Sequence, residues 1–253
     1  MKSFKYLSES VKIKTISETA THGVFDIEGL FAGYGLTIGN SLRRILLSSL
    51  PGAAITQLKI KNVSHEFSTL PGVKEDIIEL SLNFKKLRFR TEVDELQVLK
   101  LKAKGEGVVK AGDIKLNAQI EIINPEEVLA ILTEKSADLD IEITIERGLG
   151  YSPVESRNQD EKLAIGVIAL DAFFSPVVNV NYDIENMRVG DRTDYNRLKL
   201  EVTTDGTISP SSALHKSANI LNDHFQKISE VSIQEFEVTK AAKSKVAGKK
   251  KKE

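Results

Sequence analysis

FAGYGLTIGNSLRRILLSSLPG, residues 31–52, is the stretch whose reading decides the fold, and it predicts one helix. Gly33 and Gly35 loosen the entry, Thr37 is the candidate N-cap, and Pro51 with Gly52 cannot continue a helix, so both ends are marked. Ile38, Leu42, Ile45, Leu46 and Ser49 share a face at three- and four-residue spacing, and Leu47 and Leu50 widen the apolar arc. A helix of that kind is expected to lie between two partners. Gly35 and Gly39, one turn apart, leave a flat patch where another backbone can approach. Arg43 and Arg44 sit side by side on the less apolar flank; on pattern alone they are solvated helix charges.

Upstream of the helix, Val11, Ile13 and Ile16 and then Val24, Phe25 and Ile27 make two strand-like stretches separated by THG at residues 21–23, which predicts a hairpin. Downstream, residues 54–60, 96–103, 119–123 and 139–146 alternate polar and apolar side chains as half-buried strands do. Between the first two of these, Ile77, Ile78, Leu80, Leu82, Phe84 and Leu87 fit either a short helix or a helix running into a strand. Residues 177–182 and 198–203 return to strand, and Ser209 before Pro210 starts a second helix with a capping residue and an N1 proline. In that helix Leu214, Ala218, Leu221, Phe225 and Ile228 recur at alternating four- and three-residue steps, the narrow stripe of a helix packed on a helix. Packing within the chain and a dimer seam both satisfy the stripe.

The pattern implies an α+β chain in which residues from about 51 to 171 make a mainly antiparallel α+β domain between two stretches that each carry a helix and strands. A flexible basic tail (residues 232–253) follows. The 253 residues, 41% hydrophobic and 28% charged, suit two soluble domains rather than a disordered or fibrous chain. The longest apolar run, residues 163–170, is too short for a bilayer, so no membrane partner is expected. With no cysteine there are no disulfides, thiolate metal sites or cysteine nucleophiles. The net charge of −1 hides an asymmetry: residues 236–253 hold seven lysines against Glu237 and Glu253, about +5, which leaves about −6 on the body.

The residues offer little chemistry. His22, His65, His215 and His224 lack zinc-site spacing, and GEG at 105–107 and GLG at 148–150 lack the third glycine and the helix of a phosphate cradle. Asp138 and Asp140 form a DxD on one strand face, which reads as an exposed strand edge or, alternatively, a cation site in a small carboxylate-dependent hydrolase. Asp171 lies beside a buried run, but nothing pairs with it to make a general acid and base. The lysine tail allows a different class of function, a stand-alone dimeric nucleic-acid-binding module held by phosphate contacts.

Taken in order, GLTIGNSLRRILLSSLPGAAIT, HEFSTLPGVKEDIIELSLNFKKL, RGLGYSP, and FFSPV with VGDRTDYNRLKLEVTTDGTISP resemble the amino-terminal part of the α subunit of bacterial-type DNA-directed RNA polymerase, over roughly residues 4–229. The resemblance implies a discontinuous dimerisation domain (residues 1–50 and 173–231) with two packed helices and an antiparallel sheet, an inserted, mainly antiparallel α+β domain (residues 51–172), and a homodimeric scaffold that gathers the β and β′ subunits for transcription. It also implies no catalytic residues and no cofactor in this chain, the magnesium of the nucleotidyltransferase being held by another subunit. DNA is then met indirectly through the holoenzyme, in the bacterial cytoplasm or a plastid. The implied β-subunit contacts are Arg43, Arg44, His65, Glu66, Phe67, Ser68, Gly72, Val73, Lys74, Glu75 and Asp76, with Arg44 as anchor. The implied β′ contacts are Glu79, Lys85 and Ser175. The implied dimer interface is Gly35, Ile38, Gly39, Leu42, Ile45, Leu46, Leu214, Ala218, Leu221, Phe225 and Ile228. Members of the family continue into a small helical domain that binds upstream promoter DNA. This sequence stops at Glu253 in a lysine run, so the expectation is at most a weak contact of the tail with DNA.

Overall fold

The computed structural model describes residues 10–157 and 166–231. In chain order β1 (Lys12–Glu18) and β2 (His22–Leu30) lead into α1 (Tyr34–Ser48), and β3 (Pro51–Ile60), α2 (Ile77–Lys85) and β4 (Phe89–Arg90) come next. Then follow β5 (Gln97–Lys104), β6 (Gly107–Lys110), β7 (Glu121–Ile122), β8 (Val128–Leu132), β9 (Asp138–Leu149), β10 (Tyr151–Ser152) and α3 (Val154–Arg157). The last elements are β11 (Val167–Ala169), β12 (Ala172–Phe173), β13 (Val177–Val189), β14 (Arg192–Thr204) and α4 (Pro210–Ser229). The fold is α+β with antiparallel sheets.

The first sheet runs β1-β2-β14-β13, all antiparallel, so the start and the end of the chain pair with each other. Its inward side chains, among them Phe25, Ile27, Leu198, Leu200 and Val202, pack under Leu42, Leu46 and Leu50 of the α1 region and Ala213 of α4. Why α1 lies so close to the sheet is visible at its glycines. A Cβ on Gly35 would come to 3.0 Å from Ile184, and one on Gly39 to 3.0 Å from Leu198 and Tyr182. The flat patch is thus filled by the chain's own sheet.

The second sheet runs β5-β9-β3-β4-β7, with β11 on β3 and a separate β6-β8 hairpin. Ile77, Leu80 and Phe84 give α2 a fully buried face at three- and four-residue spacing, packed in one core with Leu58, Leu101, Ile141 and Ile143. The ambiguous stretch before residue 90 is therefore a helix followed by a two-residue strand. Asp76 caps α2 by accepting the Glu79 N–H at 2.7 Å.

The chain crosses between the two cores at one place. Gly52 at the start of β3 lies against the carbonyl of Phe174, so closely that a Cβ would overlap that oxygen, and the Phe174 ring covers Gly148. Nearby, Arg90 donates to the carbonyls of Thr207 (2.9 Å) and Gly206 (3.1 Å), and Arg88 lies 3.7 Å from Asp205, so β4 is tied to the turn that precedes α4.

The start of α1 differs from expectation. Its N-cap is Gly33, at φ 85°, and not Thr37, whose hydroxyl points back to the Gly33 carbonyl at 3.5 Å. The first N–H groups are met from another strand: Asn196 Oδ1 accepts from Gly33 N (2.8 Å) and Gly35 N (3.4 Å). The start of α4 is as the Ser-Pro pair predicts, with Ser209 Oγ accepting from Ser212 N at 3.3 Å.

Candidate functional site

α1 and α4 lie side by side on the first sheet and leave a groove of about 830 Å³ between α4, the α1 edge and β1. Leu214, Ala218, Leu221 and Phe225 of α4 form one wall; Ile38 and Leu42 of α1 and Val11 and Ile13 by β1 complete it. None of its lining residues is Asp, Glu, Lys or Arg. Past its end the α4 stripe continues into solvent, with Phe225 61% and Ile228 65% exposed. A helical stripe left this open on a single chain has an incomplete core on one side.

This placement divides the residues expected at the dimer seam. Leu214, Ala218, Leu221, Phe225 and Ile228 face the groove or solvent, and Ile38 and Ile45 are half-buried. Gly35, Gly39 and Leu46 are turned into the chain's own core, and Leu42 is 5% exposed at the groove floor. Gly35, Gly39 and Leu46 are a correction to the expected seam, because α1 spends its glycine face on β13 and β14, whereas Leu42 stays on the groove. Sequence reasoning missed the β1 wall of the groove, since Val11 lies just before, and Ile13 within, a weakly alternating strand whose seven residues are all exposed.

Arg43 and Arg44 are exposed on the outer side of α1 and make no ion pair among the described residues. Of the other expected partner contacts, His65, Glu66, Phe67 and Lys74 are exposed, and Phe67 is 74% so. Ser68 is half-buried and folds back on His65, donating to its carbonyl at 2.6 Å. Gly72, Val73 and Glu75 are bound into β8: Gly72 O accepts Thr133 N, Val73 bridges Leu132, and Glu75 Oε2 accepts Ile131 N at 2.8 Å. Asp76 is occupied as the α2 cap.

Glu66 and Phe67 share a groove of about 320 Å³ with Ile78, Leu82 and Lys85 of α2, so residues expected on two different partner surfaces meet here. Glu79 is exposed beside it. Ser175 is a correction: it is 5% exposed with its hydroxyl on the Val177 carbonyl at 3.3 Å, and offers nothing outward. Asp171 accepts the Val154 N–H at 3.0 Å and lies 3.7 Å from Lys85. The Val154 bond, with Lys85 and Tyr151 adding to it, holds its carboxyl below the usual range against the opposing effect of desolvation.

The DxD face is claimed by lysines. Asp140 receives Lys102 at 2.7 Å, Asp138 lies 3.5 and 3.6 Å from Lys104 and Lys61, and Glu142 receives Lys100 at 2.9 Å. The Lys102 hydrogen bond lowers the Asp140 pKa, so these carboxylates form a cross-strand ladder with the lysines on either side. Among the described residues no three His, Cys, Asp or Glu side chains gather as metal ligands, and no helix is long and apolar enough to cross a membrane. The basic tail of residues 232–253 lies outside the described residues.

Residues 58–175 match the family model of the RNA polymerase Rpb3/RpoA insert domain, the span occupied by the second sheet and its helices. The chain is 51% identical over 218 residues to the DNA-directed RNA polymerase subunit alpha of Carboxydothermus hydrogenoformans, covering 86% of this chain and 69% of that one. It is 50% identical over 220 residues to that of Symbiobacterium thermophilum (86% and 69%) and 46% identical over 219 residues to that of Roseiflexus sp. (87% and 67%). With half of the aligned positions identical across both sheets and the insert between them, the chain belongs to the family of the α subunits of DNA-directed RNA polymerase.

Proposed function

We propose that this chain is a homodimeric scaffold that nucleates assembly of the β and β′ subunits and performs no nucleotidyl transfer itself. Residues 1–50 and 173–231 form the dimerisation unit and residues 51–172 the inserted unit; DNA is engaged through the assembled enzyme. The observation that carries the reading is the open groove along α4, with Phe225 and Ile228 standing free beyond it. Covering a large apolar side chain contributes roughly 1.5–3 kcal/mol, and a second copy supplies the same stripe about a two-fold axis. On this reading the unpaired Arg43 and Arg44 meet β, where a guanidinium grips carboxylates or carbonyls in fixed geometry. Glu66, Phe67 and Lys74 extend that contact, and Glu79 and Lys85 meet β′.

Sedimentation equilibrium tests the dimer. Phe225→Asp is expected to weaken self-association by at least about 100-fold while the protomer stays folded. A wild-type chain that remains a protomer at working concentration would overturn the reading. In a pull-down with the two large subunits, Arg44→Ala is expected to lose one of them with the dimer intact. Unchanged recovery would remove Arg44 from the contact.

A further inference from the structure

One ionisable side chain lines the apolar groove, His215. It lies on the α4 row Ser211, His215, Ala218 and Asn222, which turns toward the groove at four- and three-residue steps, with Nδ1 3.4 Å from Asn219 Nδ2. The elements packed around it bring little charge. The α1 and β2 residues lining the groove are apolar or hydroxyl-bearing; Arg43 and Arg44 sit on the outer flank of α1, and Asp26 alternates to the far face of β2, where Arg197 holds it. On β1, Lys12 and Lys14 alternate with the groove-lining residues and Lys14 pairs with Glu28, while β14 presents buried Leu198 and Leu200. The carboxylate that does touch this end of α4, Glu18, accepts the Ser211 N–H at 2.9 Å. On α4 itself Lys216 lines the cleft that holds Arg90 and Arg147, and Asp223, His224 and Lys227 are two or more turns along the helix.

We infer that His215 makes self-association of this chain proton-dependent: the groove closes on a second copy with the imidazole neutral and is held open by the imidazolium. This rests on the dimer reading above. A charge carried into an apolar seam without a partner is strongly disfavoured, so the proton leaves instead. By two-fold symmetry each copy brings its own His215, and two protons leave per dimer formed. An imidazole changes charge between about pH 5 and 8, and two released protons set a limiting slope of about two decades in dissociation constant per pH unit on the acid side.

The test is sedimentation equilibrium of the full chain at fixed ionic strength, from about pH 7.5 to about pH 5.5. It is run for wild type, His215→Gln and His224→Gln, with a parallel Leu221→Ala series that brings dissociation into range and circular dichroism to verify folding. Wild type is expected to weaken by up to about 100-fold on acidification, His215→Gln by less than about threefold, and His224→Gln as wild type does. A dimer whose dissociation constant ignores pH, or the same slope in His215→Gln, overturns the role of His215 and leaves the dimer standing. Absence of any dimer across the range overturns the dimer reading itself.

Discussion

Asn196 does for α1 what no residue within 31–52 does. Its side-chain oxygen, on β14, takes the N–H groups of Gly33 and Gly35, and its amide donates to Asn186 Oδ1 at 3.2 Å. An 8% exposed amide that satisfies a helix terminus from far along the sequence leaves buried donors orphaned when removed. Asn196→Ala is therefore expected to cost about 1–3 kcal/mol in denaturant unfolding, and a loss below a few tenths would show that water replaces it. This contact also explains why Thr37 reads as the cap: sequence offers a hydroxyl near the start of an apolar repeat, but the actual cap comes from a residue 163 positions away from Gly33. Ser175 misleads for a related reason, because burial at a chain crossing leaves no local signature.

At the scale of elements, periodicity carried most of the fold. α1, α4, β3, β5 and β9 lie where alternation or helical spacing puts them; α1 and the strands have one buried and one wetter face, and α4 carries its apolar stripe along the groove. The β6-β8 hairpin was not legible: β6 is four residues long with one buried, and β8 is a near-continuous apolar run. Nor was the true length of β13 and β14, whose outer halves carry charged residues on both faces. The apolar arc of α1 is wider than one contact needs, and Gly35 and Gly39 together with Leu42 and Leu46 set which part of it faces the sheet. A pair of substitutions separates the two faces. Leu46, fully buried, belongs to the protomer's own core, so Leu46→Ala is expected to lower protomer stability by about 2–5 kcal/mol. Phe225→Asp, on the exposed stripe, is expected to leave thermal unfolding of the protomer within about 0.5 kcal/mol of wild type. Equal effects of both on the isolated protomer would mean that α4 is core on every side.

For the whole molecule, the candidate surfaces lie on both cores: the α4 groove and the arginine pair on the first, the α2 groove on the second. Their mutual placement depends on Arg88 and on Arg90 of β4, which hold the turn before α4, and on the contact of Gly52 with Phe174. The backbone leaves the smaller sheet and re-enters it through what amounts to a single doorway. A polymer whose outgoing and returning ends touch can have everything between them excised or exchanged at small entropic cost. Removing residues 53–173 and joining the ends with a short glycine-containing turn is thus expected to give a miniature that keeps the four-stranded sheet, both helices and self-association. Failure of that miniature to fold would mean that the larger lobe is a buttress, not a graft.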